Sequence, residues 1–304
     1  MAGIGHHVEY LAAQIGMGLV RTLTARQADS LGASLGSMAC RLLGSRRQLA
    51  CDNIKQALTG KLADSEIDDI VRRVFQNIGR TLVELARFEK LGAERIRDQI
   101  TPAGLETIEK ALERGNGAIL GTAHFGNWEI MGVYPAVYGI PSDTLAIQQH
   151  NLRINRLVIN LRQSLGVKIL EVPANARQVF RALDNNRVVI IAADQHAAAG
   201  TLVMDFFGRP AAIARGPALF AMRRNCPLIP MLMRRERYDR HLVIAGDAIY
   251  PPKSGDEEND LRSITATYLR FLEKHISTYP DQWLWTHNRW KIKNVDGNPE
   301  SGSS

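Results

Sequence analysis

The chain has 304 residues, 45% hydrophobic and 23% charged, with a net charge of +7 and an isoelectric point of about 9.5. That composition excludes a disordered or fibrous protein, and the positive balance favours anionic partners. The three cysteines, Cys40, Cys51 and Cys226, lie far apart with no Cys-x-x-Cys spacing. They argue for reduced thiols in a cytosolic setting, against a disulfide scaffold or structural zinc.

Residues 1–100 read as helical. The apolar run at 10–20 is short, lies between Glu9 and Arg21 and lacks the basic flank of a signal peptide. It suits an interfacial or buried helix, and no run is long enough to span a membrane. Leu31, Leu35, Met38 and Leu42 recur at helical spacing as one apolar stripe. Gly32-x-x-x-Gly36 on the same segment allows close helix approach, in lipid or in protein. The same residues spell Gly-x-Ser-x-Gly, but a hydrolase elbow needs a strand–turn–helix, and here the motif lies inside a helical stripe. A second helix covers 64–90, with Ser65 and Glu66 at its start and Gly92 as its stop.

From about residue 101 the pattern alternates. Helices are expected at 103–114, 151–165, 175–184 and 215–225, and strands at 117–122, 144–147, 167–172, 188–192 and 228–233. The helix at 257–278 precedes a segment carrying Trp283, Trp285, Arg289 and Trp290, expected half-buried near an interface. Residues 294–304 are polar, rich in Gly and Ser, and expected to be disordered. Continuous apolar strands alternating with helices imply an α/β domain: a helical N-terminal region (1–100), then a mixed, largely parallel sheet covered by helices (101–293). Ligands in such sheets bind at the carboxyl ends of strands, where both His124 and Asp194 fall.

His124 and Glu129 form a His-x4-Glu box directly after an apolar run. An imidazole can take a proton from a hydroxyl while a carboxylate holds its tautomer. On a regular helix the two side chains would lie roughly 140° apart, so the backbone must bend between them. Asn127 supplies the bend as the N-cap of a helix opening at Trp128. Asp194 either supports this site or caps the next segment. His196 beside it lacks a third ligand at metal spacing. Cys226 is expected to pack as a small apolar residue, and Phe206, Phe207 and Gly208 form a packed turn that could line an acyl pocket. The arginine pairs at 46–47, 72–73, 223–224 and 234–235 are scattered, and no zinc-finger or RNP motif occurs, so nucleic acid is not an expected partner.

Several blocks then stand in one order: Gly-Thr-Ala-His124-Phe-Gly-Asn-Trp-Glu129, Arg162 before Gly166, Ala-Asp194-Gln195, Asp-Phe206-Phe207-Gly208-Arg-Pro-Ala, and Tyr-Pro-Asp-Gln-Trp283-Leu-Trp285-Thr-His-Asn-Arg289-Trp-Lys. Together, over residues 10–293, they resemble the late acyltransferases of lipid A biosynthesis, the lauroyl/myristoyl transferase family. The resemblance implies a glycerolipid acyltransferase-like fold. It also implies transfer of a fatty acyl chain from acyl carrier protein or acyl-CoA to a hydroxyl of a lipid A precursor, at the cytoplasmic face of the inner membrane.

By that resemblance His124 is the general base and Glu129 its partner. Arg162 serves the oxyanion or an acceptor phosphate, and Asn127, Asp194, Gln195, Phe206 and Phe207 support the site or bind substrate. No metal or cofactor is implied, because a thioester is already activated. The oxyanion donor is Arg162 or backbone N–H groups near residues 126–128. Many relatives carry an Arg-Pro pair before the asparagine that opens the helix to this arginine. Here the stretch reads Gln148-Gln149-His150-Asn151, which bears on the acceptor, and related enzymes acylate other glycolipids, including phosphatidylinositol mannosides. A closed apolar groove for the acyl chain is expected. So is an anionic membrane surface as partner, met by the N-terminal helices, the arginine pairs and the Trp-rich tail.

Overall fold

Five helices lead the chain in a computed structural model that describes residues 2–172, 176–195 and 201–290. They are α1 (Ala2–Thr22), α2 (Ala25–Leu42), α3 (Gly44–Ala57), α4 (Asp64–Leu85) and α5 (Phe88–Arg97). A capping box starts α2: Thr24 Oγ1 accepts from Gln27 N–H, and Gln27 Oε1 accepts from Thr24 N–H at 2.9 Å. At the head of α4, Glu66 accepts the N–H of Ala63 at 2.7 Å. Gly92, with φ +67°, kinks α5 rather than ending a helix that runs through 90.

The α2 stripe does not face the core. Its buried residues are Ala28, Gly32, Gly36 and Cys40, whereas Leu35, Met38 and Leu42 are 42%, 52% and 73% exposed. The small residues win the protein face because they let two backbones meet. A Cβ at Gly36 would stand 2.1 Å from the Phe75 carbonyl oxygen, and one at Gly79 would stand 2.2 Å from that of Gly32. Of the two settings open for the glycine spacing, the structure takes packing within the protein. Ser34 lies inside this helix and donates to Ser30 O. Gly79→Ala is expected to cost about 1–3 kcal/mol, read from urea unfolding midpoints.

The remaining elements alternate. β1 (Ile100–Thr101), α6 (Leu105–Leu112), β2 (Ala118–Thr122), α7 (Trp128–Met131) and α8 (Tyr134–Val137) come first. Then follow β3 (Ser142–Ile147), α9 (Leu152–Gln163), β4 (Lys168–Val172), α10 (Ala176–Asp184) and β5 (Val188–Ala192). The last are β6 (Thr201–Phe206), β7 (Arg209–Ala214), α11 (Gly216–Arg224), β8 (Leu228–Arg237), β9 (Arg240–Ala245) and α12 (Glu257–Thr278). Seven strands form one sheet in the order β1-β9-β8-β2-β5-β3-β4, parallel at every junction except β8/β9. This is the α/β architecture expected, a helical region followed by a largely parallel mixed sheet flanked by helices.

The β6–β7 hairpin stands apart from the sheet and turns through Phe207 and Gly208, both in the left-handed region (φ +56° and +67°). Its strands, with β1 and β9, escaped the sequence reading. Buried side chains on both sides of residue 100 share one core, with Ile54, Ile70 and Val74 in the same cluster as Ile119, Ile191 and Leu272. His196 and residues 294–304 lie outside the described residues.

No helix among the described residues is long and apolar enough to cross a membrane. Two aromatic members of the face expected for lipid are turned inward. Trp283 and Trp285 are buried, because their rings pack on each other (4.6 Å between centroids) and on Phe206 and Phe207. Most of the paired arginines are spent on carboxylates: Arg47 on Asp68, Arg72 and Arg73 on Asp69, Arg223 on Glu257, Arg224 on Asp184 and Arg234 on Glu236. Arg235 is buried. The helical region also presents apolar side chains: Leu11, Ile15 and Leu19 of α1 are exposed, as are Leu35, Met38 and Leu42 of α2.

Candidate active site

β2 and β5 are parallel neighbours, with Thr122 opposite Ala192. Each chain leaves its strand together, Ala193 N–H still donating to Thr122 O at 3.2 Å. Two residues past this paired position stand His124 and Asp194, so equal offsets bring them to the same height above the sheet. Asp194 Oδ1 lies 2.8 Å from His124 Nδ1, and its Oδ2 accepts from the His124 backbone N–H (3.0 Å) and from Trp283 Nε1 (2.8 Å). The carboxylate is 2% exposed and the imidazole 25%.

Burial opposes charge on the imidazole, but the Asp194 carboxylate outweighs it, and His124 titrates above its ordinary value. Burial likewise pushes Asp194 up. Attraction to His124 and the three hydrogen bonds it accepts carry it below the usual carboxylate range.

The carboxylate that holds the imidazole is therefore Asp194 rather than Glu129. The bend at Asn127 forms as expected: its side chain accepts the N–H of Ile130 at 3.0 Å and starts α7. Glu129, in the first turn, forks onto Arg162 of α9, with Nε to Oε2 at 2.8 Å and Nη2 to Oε1 at 2.9 Å, and also accepts from Trp128 Nε1 at 3.1 Å. A bidentate pair with a permanent cation satisfies the carboxylate better than one bond to an imidazole. Burial works against the Arg162 charge, yet Glu129 holds its pKa above the ordinary value. The Trp128 ring lies 5.8 Å from that of His124.

The 125–127 turn admits only glycine at its centre. Gly126 has φ +55°, and a Cβ there would fall 1.8 Å from the Met233 carbonyl oxygen. Gln195 follows Asp194 half-buried, and among the described residues no hydrogen bond joins its side chain to His124, Glu129 or Arg162. Phe206 is buried behind Trp283 (5.7 Å between ring centroids), with Arg289 Cζ over its ring 5.2 Å from the centroid, and Phe207 packs towards Trp285. Burial pushes the Cys226 thiol up to about 12, which suits the apolar packing role. Among the described residues no group of three or more His, Cys, Asp or Glu side chains could hold a metal ion.

Several contributors were not found from sequence. Trp283 was read as a core or interface anchor, yet it donates to the carboxylate that holds His124. Leu284 N–H donates to His124 O at 3.0 Å, and Gln282 O accepts from Gly126 N–H at 2.8 Å. These partners come from about 160 residues downstream, a distance at which spacing carries no signal.

Beside the site runs an apolar groove of about 770 Å³, within the range of small-molecule pockets. Its walls come from α1, α2, α4 and α9, and include Leu161, next to Arg162, and Leu284, whose N–H is bonded to His124 O. Phe206 and Phe207 are not on these walls. The groove is open rather than closed, since its lining residues Leu35, Leu43 and Leu82 are exposed.

Comparison with known proteins gives the chain its relatives. Residues 5–292 match the family described as bacterial lipid A biosynthesis acyltransferase. A phosphatidylinositol mannoside acyltransferase of Mycolicibacterium smegmatis is 26% identical over 298 residues, 94% of this chain and 93% of the relative. A lipid A biosynthesis palmitoleoyltransferase of Escherichia coli is 24% identical over 87% of this chain and 85% of its own. A lipid A biosynthesis lauroyltransferase of the same organism is 23% identical over 94% of each.

Proposed function

The chain belongs to the bacterial lipid A biosynthesis acyltransferase family, and from that premise we propose that it transfers a fatty acyl chain from a thioester donor, acyl carrier protein or acyl-CoA, to a hydroxyl of a membrane glycolipid. The first acceptor to consider is a lipid A precursor. The observation that carries the reading is the His124–Asp194 pair beside an apolar groove. Asp194 engages Nδ1, so Nε2 is the ring nitrogen for an incoming hydroxyl.

His124 takes the hydroxyl proton as the oxygen attacks the thioester carbonyl. The tetrahedral oxyanion collapses, the C–S bond breaks, and the imidazolium returns its proton to the leaving thiolate. Asp194 keeps its charge throughout and stabilises the imidazolium. Of the oxyanion donors open from sequence, the N–H groups of Gly126 and Asn127 are already spent on Gln282 O and Met233 O, which leaves the Trp128 N–H and Arg162. Of these, Arg162 is the stronger candidate, because its guanidinium carries five N–H donors and gives two to Glu129.

The second reading is a phosphatidylinositol mannoside-type acceptor, favoured by the mycobacterial match over 94% of the chain and by the altered 148–151 stretch. A lauroyl-acyl carrier protein assay against a tetra-acylated lipid A precursor and, in parallel, a phosphatidylinositol mannoside separates the two. A product one acyl chain heavier with the first supports the lipid A reading, and with the second alone the other. No product with either, from acyl carrier protein or CoA donors, would refute both.

The exposed Leu11, Ile15 and Leu19 of α1 and the exposed Leu35, Met38 and Leu42 of α2 support peripheral attachment to a bilayer. Ile15→Glu with Leu19→Glu is expected to abolish co-flotation with anionic vesicles. Unchanged flotation would refute attachment through this face.

A further inference from the structure

The 125–127 turn, which separates His124 from Glu129, rests on a buried polar cluster outside the motifs considered above. Asn77, Thr81 and Glu84 lie at i, i+4 and i+7 of α4 and so share one helix face. Asn77 Nδ2 donates to Gly126 O at 2.9 Å, and Thr81 Oγ1 donates to the same oxygen at 3.2 Å. Glu84 Oε2 accepts from Asn127 Nδ2. From the end of β8, Arg235 ties the three together: Nε to Asn77 Oδ1 at 2.7 Å, Nη2 to Thr81 Oγ1 at 3.0 Å and Nη1 to Glu84 Oε1 at 2.6 Å.

The Arg235 and Glu84 side chains are 6% and 13% exposed, and the fully buried His241 imidazole lies 3.6 Å from Glu84 Oε1. The side-chain hydrogen bonds of this cluster that leave α4 and β8 end on Gly126 or Asn127, while the Arg235 backbone exchanges two with the Gln282 side chain (3.1 and 3.3 Å). A buried ion pair is a poor source of stability compared with apolar side chains of the same volume. Its directed bonds do something packing cannot: they hold a strained, glycine-only turn in one conformation.

We infer that Glu84 and Arg235, acting through Asn77, Thr81 and Asn127, are positioning residues for acyl transfer, holding the turn that sets His124 against Asp194 and Glu129 against Arg162. The inference rests on the proposed reaction. It makes α4, which also walls the acyl groove through Phe75, Ile78 and Leu82, part of the catalytic apparatus.

The test uses the full chain in three variants. Glu84→Gln with Arg235→Met removes both charges, so neither is left buried alone. Thr81→Val removes one hydroxyl, and Thr81→Ser restores it. Two readouts are taken: kcat and KM with lauroyl-acyl carrier protein and a tetra-acylated lipid A precursor, and titration of the His124 ring nitrogens by NMR of histidine-labelled protein. The charged groups acting on that ring are Asp194, Glu129 and Arg162.

Positioning predicts a kcat lower by up to about 100-fold in the double variant, the scale of an ångström's misplacement, with KM unchanged. It also predicts a His124 titration displaced towards that of an ordinary histidine. Thr81→Val is expected to show a smaller loss of the same kind and Thr81→Ser to recover most of it. A folded double variant with parental kcat and parental His124 titration would overturn the inference. If the double variant does not fold, the Thr81 pair decides by the same two readouts. If the parent transfers no acyl group, the reaction reading has failed, and the imidazole titration alone decides whether the cluster positions His124.

Discussion

Replacing His124 with alanine is expected to lower kcat for acyl transfer by roughly 10²–10⁴-fold, the usual contribution of a positioned general base. KM for the donor should change little, because the groove proposed for the chain is walled by other residues. Asp194→Asn should produce a loss of similar order for a different reason. The amide cannot stabilise the imidazolium, and it can present the wrong hydrogen-bonding group to Nδ1. The pH profile separates the two effects. The base works only when neutral, and the carboxylate raises its pKa above the ordinary value of about 6.5. The acid limb of the rate profile should therefore rise with pH at a point above about 6.5. In Asp194→Asn the limb should move to lower pH while its plateau falls.

Stability carries the same signature. The raised histidine pKa contributes stability that is full below the unfolded value and lost as pH rises through the folded one. The lowered Asp194 value contributes stability present above the unfolded carboxylate pKa of about 3.9 and lost as pH falls through the folded value. A His124→Ala enzyme with near-parental kcat, or an Asp194→Asn profile with an unmoved limb, would remove the proposed base.

Sequence spacing paired His124 with Glu129, whereas the structure hydrogen-bonds it to Asp194, and the reason is physical. Apolar runs ending at Thr122 and Ala192 identify two buried parallel strands, and the residue two places beyond each is legible at once. What single-chain spacing cannot show is that the two strands are adjacent and in register, and that adjacency makes Asp194 the partner of the imidazole. Glu129 is closer in sequence, so local reasoning chose it. The helix it opens carries it to Arg162 instead.

The α2 stripe failed in the opposite sense. Helical period identified the large apolar residues correctly. Period alone does not say whether such a face meets protein or another apolar phase, and the glycine face took the protein contact. The β6–β7 hairpin was missed because Pro210 and Gly208 break its alternation, and β9 because its partner in the mixed part of the sheet cannot be read from its own residues.

Glu129 and Arg162 give the second large effect. Glu129→Ala leaves a guanidinium mostly buried without its fork. Breaking a buried pair costs about 3–5 kcal/mol, and the upper end is not expected, because the Arg162 side chain is 20% exposed and water can reach part of it. A lowered unfolding midpoint is the first outcome. The second is a fall in kcat of the order of 10²-fold, since Arg162 is the proposed oxyanion donor and loses the anchor that aims it. Arg162→Lys keeps the charge but not the bidentate geometry, and should lose activity while keeping more stability than Glu129→Ala.

The pH profile again discriminates. Glu129 and Arg162 act on the imidazole with opposite signs, Glu129 raising its pKa and Arg162 lowering it. Removing both should therefore move the acid limb less than Asp194→Asn does. A Glu129→Gln limb displaced as far as that of Asp194→Asn would return the orienting role to Glu129, against the hydrogen bonding seen here.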